Sequence, residues 1–190
     1  MGVPVLAVVA SFVVEFHCSE LLLAFIYHQK PGEVTWRNTL LSGPLLLAYG
    51  VACFESWWGR RHVPRPIQAA GIGMMVLGEC IRKMAIITAG PSFSHQIAEV
   101  RLPQHRMVTH GPYRWHRHPA YLGYGMFVIG CMVTVGNWIC VILFGCILYR
   151  FFDQRLAFEE AALMELFPEW AAYSRRVTCF PFRNYCGKRE

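Results

Sequence analysis

The sequence has little charge and lacks the signatures by which many soluble catalysts are known. Charged residues make up 16% of its 190 positions, against about a quarter in ordinary soluble domains. No dinucleotide-binding Gly-x-Gly-x-x-Gly, P-loop or Gly-x-Ser-x-Gly string occurs, so a Rossmann cofactor site, a phosphate cradle and a hydrolase elbow have no support. Cys-x-x-Cys and His-Glu-x-x-His are also absent, the histidine spacings match no zinc signature, and no metal is expected. The eight cysteines lie mostly within apolar stretches without paired spacing, which predicts buried free thiols rather than disulfides. There is no internal repeat, low-complexity tract or flexible linker, and no basic helix with interleaved aromatics that would suit a nucleic acid.

Long apolar blocks fill the space that charge leaves. Hydrophobic residues reach 55%, and a hydrocarbon core demands about 20 apolar residues of a spanning helix. Val3 to Tyr27 is apolar apart from a few residues, Glu15, His17, Ser19 and Glu20 among them; it lacks the basic flank and cleavage site of a signal peptide and reads as a retained first span. Leu40 to Trp58 is the second, with Glu55 inside and Trp57 and Trp58 placed for an aromatic belt. Ile67 to Thr88 is the third, holding Glu79, with Arg82 and Lys83 expected to snorkel toward the interface. From Pro119 to Tyr149 only tyrosine and cysteine are ionisable, and Gly136-Asn137 interrupts the run as a turn would. Each arm of that hairpin is short at about 1.5 Å per residue, so the flanks around His118 and from Arg150 to Glu160 are expected to prolong the two helices. The fold class is therefore all-α: an integral membrane helical bundle of about five spans, built as one unit, with residues 1–88 forming three N-terminal helices and residues 89–190 the remainder.

Orientation follows from lysine and arginine, which favour the cytosolic side. Five spans put Arg60, Arg61 and Arg65 on one face. The other receives Lys30, Arg37, Arg82, Lys83, Arg101, Arg106, Arg114, Arg117 and all seven basic residues from Arg150 onward, and is assigned to the cytosol. The net charge of +6 then reflects topology and attraction to anionic membrane lipid. Between the third span and the hairpin, the Ala89 to Pro119 connector collects five of the eight histidines: His95, His105, His110, His116 and His118.

Two polar groups carry candidate chemistry. Arg155 and Glu159 share a helix face at i, i+4. Such a pair is commonly a weak surface ion pair, yet it follows directly on a membrane arm, where ionisable side chains are functional suspects. His116-Arg117-His118-Pro119-Ala120-Tyr121 contains a favoured helix start at its proline; the start leaves two histidines, an arginine and a tyrosine unexplained at the hairpin's mouth. Glu15, Glu20, Glu55 and Glu79 are expected to pair with arginines or lie at interfaces, with a proton or ion pathway as the alternative.

From Ser92 to Phe182 the ordered strings Ser92-Phe93-Ser94-His95, His105-Arg106-Met107-Val108, Gly111-Pro112-Tyr113, Trp115 with Arg117-His118-Pro119-Ala120-Tyr121, Arg150-Phe151-Phe152-Asp153, Arg155 with Glu159-Glu160, Tyr173 and Pro181-Phe182 resemble the isoprenylcysteine carboxyl methyltransferases. The resemblance implies an enzyme that uses S-adenosylmethionine to methylate the C-terminal carboxylate of prenylated cysteine in CaaX-processed proteins such as small GTPases. It implies a cytosol-facing site in the endoplasmic reticulum membrane, with residues 89–190 as the catalytic region and 1–88 as the wall of substrate entry. It assigns cofactor contacts to His105, Arg106, Met107, Val108, Tyr113, His118, Pro119, Ala120, Tyr121 and Glu159, and the substrate carboxylate to Arg155, so that Arg155 and Glu159 form the catalytic pair. A further cofactor position of that family falls on Ala98 and is not carried over. A phospholipid N-methyltransferase shares part of the motif set, a sterol-reductase-like NADPH enzyme shares an Arg-His-Pro-like element, and a catalytically silent membrane receptor or scaffold would have Arg155 and Glu159 dispensable; these are the rival readings.

Overall fold

The computed structural model describes residues 5–27, 46–47, 49–51, 54, 63–95, 103 and 105–182. Most of the second predicted span, Glu55 included, lies outside them, as do residues 96–102 and 104 of the long connector. Helix α1 runs Val5–Tyr27, α2 Arg65–Ala89, α3 Pro119–Thr134, α4 Trp138–Leu166 and α5 Trp170–Ser174, with 3-10 turns at Gly90–Ser92 and Gly111–Arg114. Extended pairing among the described residues is a single parallel bridge between His116 and Thr178.

Local chemistry sets the helix ends. Proline in the first turn favours the starts of α2 and α3. Val135 to Asn137 make the predicted hairpin turn: Gly136 takes φ +72°, where a side chain would be strained, and Asn137 Oδ1 accepts from the Cys140 N–H at 2.9 Å, capping α4. The two arms depart differently from expectation. α4 continues unbroken to Leu166, 29 residues or about 43 Å. α3 does not extend back through His118, contrary to the sequence reading; a residue preceding proline is driven out of the α region, and His118 stands at φ −127°, ψ 63°.

Antiparallel helices α2 and α3 meet along a seam of glycines seven residues apart on each. Gly71 faces Gly130, and Gly78 faces Gly123. A Cβ on Gly78 would lie 2.6 Å from the Gly123 carbonyl oxygen, and one on Gly130 2.8 Å from that of Gly71. Only hydrogen fits between these backbones, which is how membrane helices gain packing contact without a hydrophobic drive. α1 completes the core by stacking Phe16 on Phe127, centroids 4.1 Å apart, beside Met75, Tyr124, Val128, Cys131 and Phe152. The ring of Tyr49, from the second predicted span, reaches His17 at 6.4 Å.

α1 and α2 run parallel, since Glu15 and Glu20 of α1 meet Lys83 and Arg82 of α2, and Tyr27 lies nearest Gly90. Arg82 does not snorkel, as the sequence had suggested. It is buried and grips the equally buried Glu20 with Nε to Oε1 at 2.6 Å and Nη2 to Oε2 at 2.7 Å. Lys83 pairs with Glu15 at 2.5 Å and Glu79 at 2.6 Å, so these three glutamates have basic partners. Large apolar side chains stand outward on α1 (Val14, Leu22, Phe25), α2 (Leu77, Ile87) and α4 (Ile139, Ile142, Phe151), the surface a lipid-embedded bundle presents. Among the described residues, α1 is long and apolar enough to cross a membrane by composition alone. The described cysteines are free thiols; Cys131, Cys140 and Cys179 are buried as expected, whereas Cys18, Cys80 and Cys146 are exposed.

Candidate active site

The cytosol-assigned ends of α1 and α2, the start of α3 and the far half of α4 converge on one polar cluster. Arg155 points from α4 toward α3, where its Nε donates to the Tyr121 hydroxyl at 2.7 Å and its Nη2 donates to the His95 carbonyl at 2.6 Å. The Tyr121 hydroxyl in turn donates to Glu159 Oε2 at 2.7 Å. One phenol thus bridges the two residues that the i, i+4 spacing had placed on one face. Among the described residues Arg155 has committed two of its five N–H donors, and Nη1 is left to receive an anion.

His118 lies behind this face, buried between carboxylates. Its Nε2 is 3.0 Å from Glu160 Oε1 and its Nδ1 3.7 Å from Glu159 Oε1. Burial alone would depress the imidazole pKa, but hydrogen bonding and charge from Glu159 and Glu160 outweigh it and hold His118 above the ordinary histidine range. For Glu159 burial again opposes the charge; the adjacent His118, then the Tyr121 hydrogen bond and the charge of Arg155, overcome it and keep the carboxyl below its usual range. The arrangement favours the charged forms of both His118 and Glu159, and the Glu159 side chain remains 26% exposed.

A second tier fixes the chain that carries His118. Arg117 is 1% exposed; Nη1 lies 3.3 Å from Glu160 Oε2 and donates to the Ser174 carbonyl at 3.2 Å, while Nη2 donates to Cys179 Sγ at 2.8 Å. His116 Nδ1 accepts from the His118 N–H at 3.0 Å and its Nε2 faces the Phe180 carbonyl at 2.7 Å. A carbonyl can only accept, so His116 is the neutral Nε2–H tautomer, in keeping with a pKa lowered by burial. Sequence reasoning gave Glu160, Ser174 and Cys179 no role, and Arg117 only a place in the polar group at the hairpin's mouth. Glu160 was quoted with its neighbour, but adjacent helical residues face different directions, and nothing in spacing announces a partner on α3.

The remaining predicted residues surround this cluster. Met107 packs on Phe167, Trp170 and Tyr173, and the Trp170 ring lies 5.9 Å from His118. The Tyr173 hydroxyl, raised to about 12 by burial, donates to the Tyr113 carbonyl at 2.6 Å. Tyr113's own hydroxyl is raised by burial and then by the charge of Glu159, which sets the two within electrostatic reach. Arg106 is exposed, its N–H on Ser92 Oγ at 3.0 Å; His105 and Val108 are half-buried. Pro119 and Ala120 are buried, and the Ala120 carbonyl accepts from Arg82 Nη1 at 2.9 Å. The Trp170 indole N–H, 95% buried by its 5% exposure, has no partner among the described residues.

An anion-receptive guanidinium beside an ionised, part-exposed carboxylate can hold two small molecules of opposite local charge side by side. Residues 71–165 match the isoprenylcysteine carboxyl methyltransferase family. A probable protein-S-isoprenylcysteine O-methyltransferase of Oryza sativa subsp. indica is 35% identical over 174 residues, covering 88% of this chain and 91% of its own. The protein-S-isoprenylcysteine O-methyltransferase of Rattus norvegicus is 35% identical over 178 residues, covering 88% of this chain and 61% of its own, so the chain spans about three-fifths of that longer relative. In three dimensions the chain is similar to the structure of the eukaryotic intramembrane Ras methyltransferase, an isoprenylcysteine carboxyl methyltransferase, with TM-score 0.86 and 27% identity over 95% of this chain and 67% of that one.

Proposed function

This chain belongs to the isoprenylcysteine carboxyl methyltransferase family, and from that premise we propose that it esterifies the C-terminal carboxylate of prenylated cysteine in CaaX-processed proteins, small GTPases among them. The observation that carries the reading is the Arg155–Tyr121–Glu159 bridge, which holds one anion receptor and one anion in fixed relation. Family membership and this charge pattern together set aside an amine-methylating or NADPH-dependent reading, since a guanidinium aimed at the acceptor grips carboxylate and repels ammonium.

S-Adenosylmethionine, when bound, supplies an electrophilic methyl group. The residues present fit such a molecule: an ionised Glu159 for its ammonium group, aromatic faces at Tyr113 and Tyr121 for its adenosyl and sulfonium parts, and the unpartnered Trp170 indole N–H for an acceptor atom. His105, Arg106, Met107 and Val108 approach from the connector. His118, Pro119 and Ala120 form the support beneath, His118 holding Glu159 in its charged form. Arg155 orients the acceptor through Nη1, leaving the second carboxylate oxygen free for in-line attack. No side chain needs to act as base, because a C-terminal carboxyl with pKa near ~3.5 is already ionised at neutral pH. Alignment and exclusion of water are what the site contributes.

The prenyl chain explains residence in lipid. Each buried methylene contributes about 0.8 kcal/mol, so lateral entry between the spans of residues 1–88 spares the chain a passage through water. The excess of lysine and arginine on the site's side supports a cytosolic face, with the endoplasmic reticulum as the membrane. The test uses membranes containing the protein, labelled S-adenosylmethionine and N-acetyl-S-farnesylcysteine, with base-labile methyl ester as readout. Arg155→Ala is expected to abolish turnover while retaining cofactor affinity, and Glu159→Ala to weaken that affinity by about tenfold or more, measured by calorimetry. Folded protein that yields no labelled ester refutes the reading.

A further inference from the structure

The two groups that anchor Arg155 both trace back to a single ion pair outside the catalytic region. Glu20 on α1 accepts from Arg82 on α2 through both of its oxygens, and its Oε2 also faces His95 Nε2 at 3.2 Å. A carboxylate only accepts, so His95 donates. The carbonyl of that same His95 receives Arg155 Nη2. Along the other branch, Arg82 Nη1 donates to the carbonyl of Ala120, and the next residue, Tyr121, receives Arg155 Nε. The contacts close a ring: Glu20 to His95 to Arg155, and Arg82 to Ala120 and Tyr121 to Arg155.

Stability alone gives no reason for such a pair. Two charges taken out of water lose in desolvation roughly what they gain from each other, and well-packed apolar side chains serve as well. Here both ions are buried, and each spends a further hydrogen bond on a segment that touches Arg155. The expense has its reason in direction: a guanidinium must be aimed to within a fraction of an ångström for in-line transfer. We propose that Glu20 and Arg82 are positioning residues for the acceptor carboxylate, holding His95 and the start of α3 so that Arg155 is aimed. The inference rests on the reading that Arg155 grips that carboxylate.

The test is steady-state kinetics on the full chain in lipid nanodiscs, with N-acetyl-S-farnesylcysteine as acceptor and calorimetry for S-adenosylmethionine. His95→Ala leaves the ion pair and the backbone carbonyl in place and removes the donor to Glu20 together with the ring's edge contact on Phe93, and the His95→Gln variant separates these two losses. It is expected to lower kcat/KM for the acceptor about tenfold, with cofactor affinity unchanged. His95→Gln, whose amide can again donate to Glu20, is expected to restore most of the loss. Glu20→Gln is expected to behave like His95→Ala where it folds, and its effect should be non-additive with Arg155→Lys. Unchanged acceptor kinetics in His95→Ala, a parallel fall in cofactor affinity, or strict additivity overturns the proposal. Should Arg155→Ala leave acceptor kinetics untouched, the function reading itself fails; should only the Glu20 and His95 variants be silent, the failure is confined to this inference.

Discussion

His118 faces a carboxylate from each of its ring nitrogens, and its protonation is therefore bound up with folding. Its folded pKa lies above the ordinary 6.5, so its contribution to stability is fully present below about pH 6.5 and is lost as pH rises through the folded value. Glu159 has the opposite sign: its folded pKa lies below 4.5, and its contribution is present above about pH 4.5 and lost as pH falls through the folded value. The melting temperature in detergent is accordingly expected to stand on a plateau between those limits and to decline on the alkaline side, and His118→Gln to flatten that decline. A wild-type curve level up to about pH 9 would contradict the arrangement. At this scale the sequence was unevenly informative. Arg155 and Glu159 were legible because i, i+4 is a property of any helix, whereas Arg82 was misjudged because its partner Glu20 lies 62 positions away. Spacing along one chain carries no account of which helices will be neighbours.

Helices show the same division. The hairpin turn was readable because Gly136 and Asn137 are chemically suited to a positive φ and a cap, and the prolonged α4 was implied by the length of a single arm. The glycine seam is not legible in the sequence, although Gly71 and Gly78, and again Gly123 and Gly130, stand seven residues apart; glycine reads as a breaker until the opposing backbone is known. The seam makes a sharp prediction. Gly78→Ala and Gly123→Ala each force backbone apart and are expected to cost about 1–3 kcal/mol, whereas Gly73→Ala and Gly125→Ala, where an added Cβ meets nothing within 4 Å, should be neutral or slightly stabilising. Thermal unfolding of the purified variants in detergent, followed by light scattering or intrinsic fluorescence, distinguishes the two pairs.

For the molecule as a whole, the parallel course of α1 and α2 and the antiparallel course of α3 bring two helix ends, one helix start and the length of α4 to a single side. That convergence, rather than any one motif, makes the basic connector and the α4 pair neighbours. The orientation is open to direct measurement. In sealed microsomes, trypsin added outside is expected to cut after the exposed Arg175 or Arg176 without detergent; protection of that site until the membrane is dissolved would reverse the assigned topology.

The unbroken α4 is also a ruler. Arg155 stands seventeen residues beyond Trp138, about 25 Å along the axis, where hydrocarbon extends for about 30 Å. With Arg155 gripping the acceptor carboxylate as proposed, the height of that grip is set by a rigid rod, while the height of the lipid boundary is set by acyl length and sterol content. A thicker leaflet submerges the grip, and a thinner one lifts it into water. Turnover in nanodiscs of differing acyl length is accordingly expected to vary with bilayer thickness while no residue of the enzyme changes.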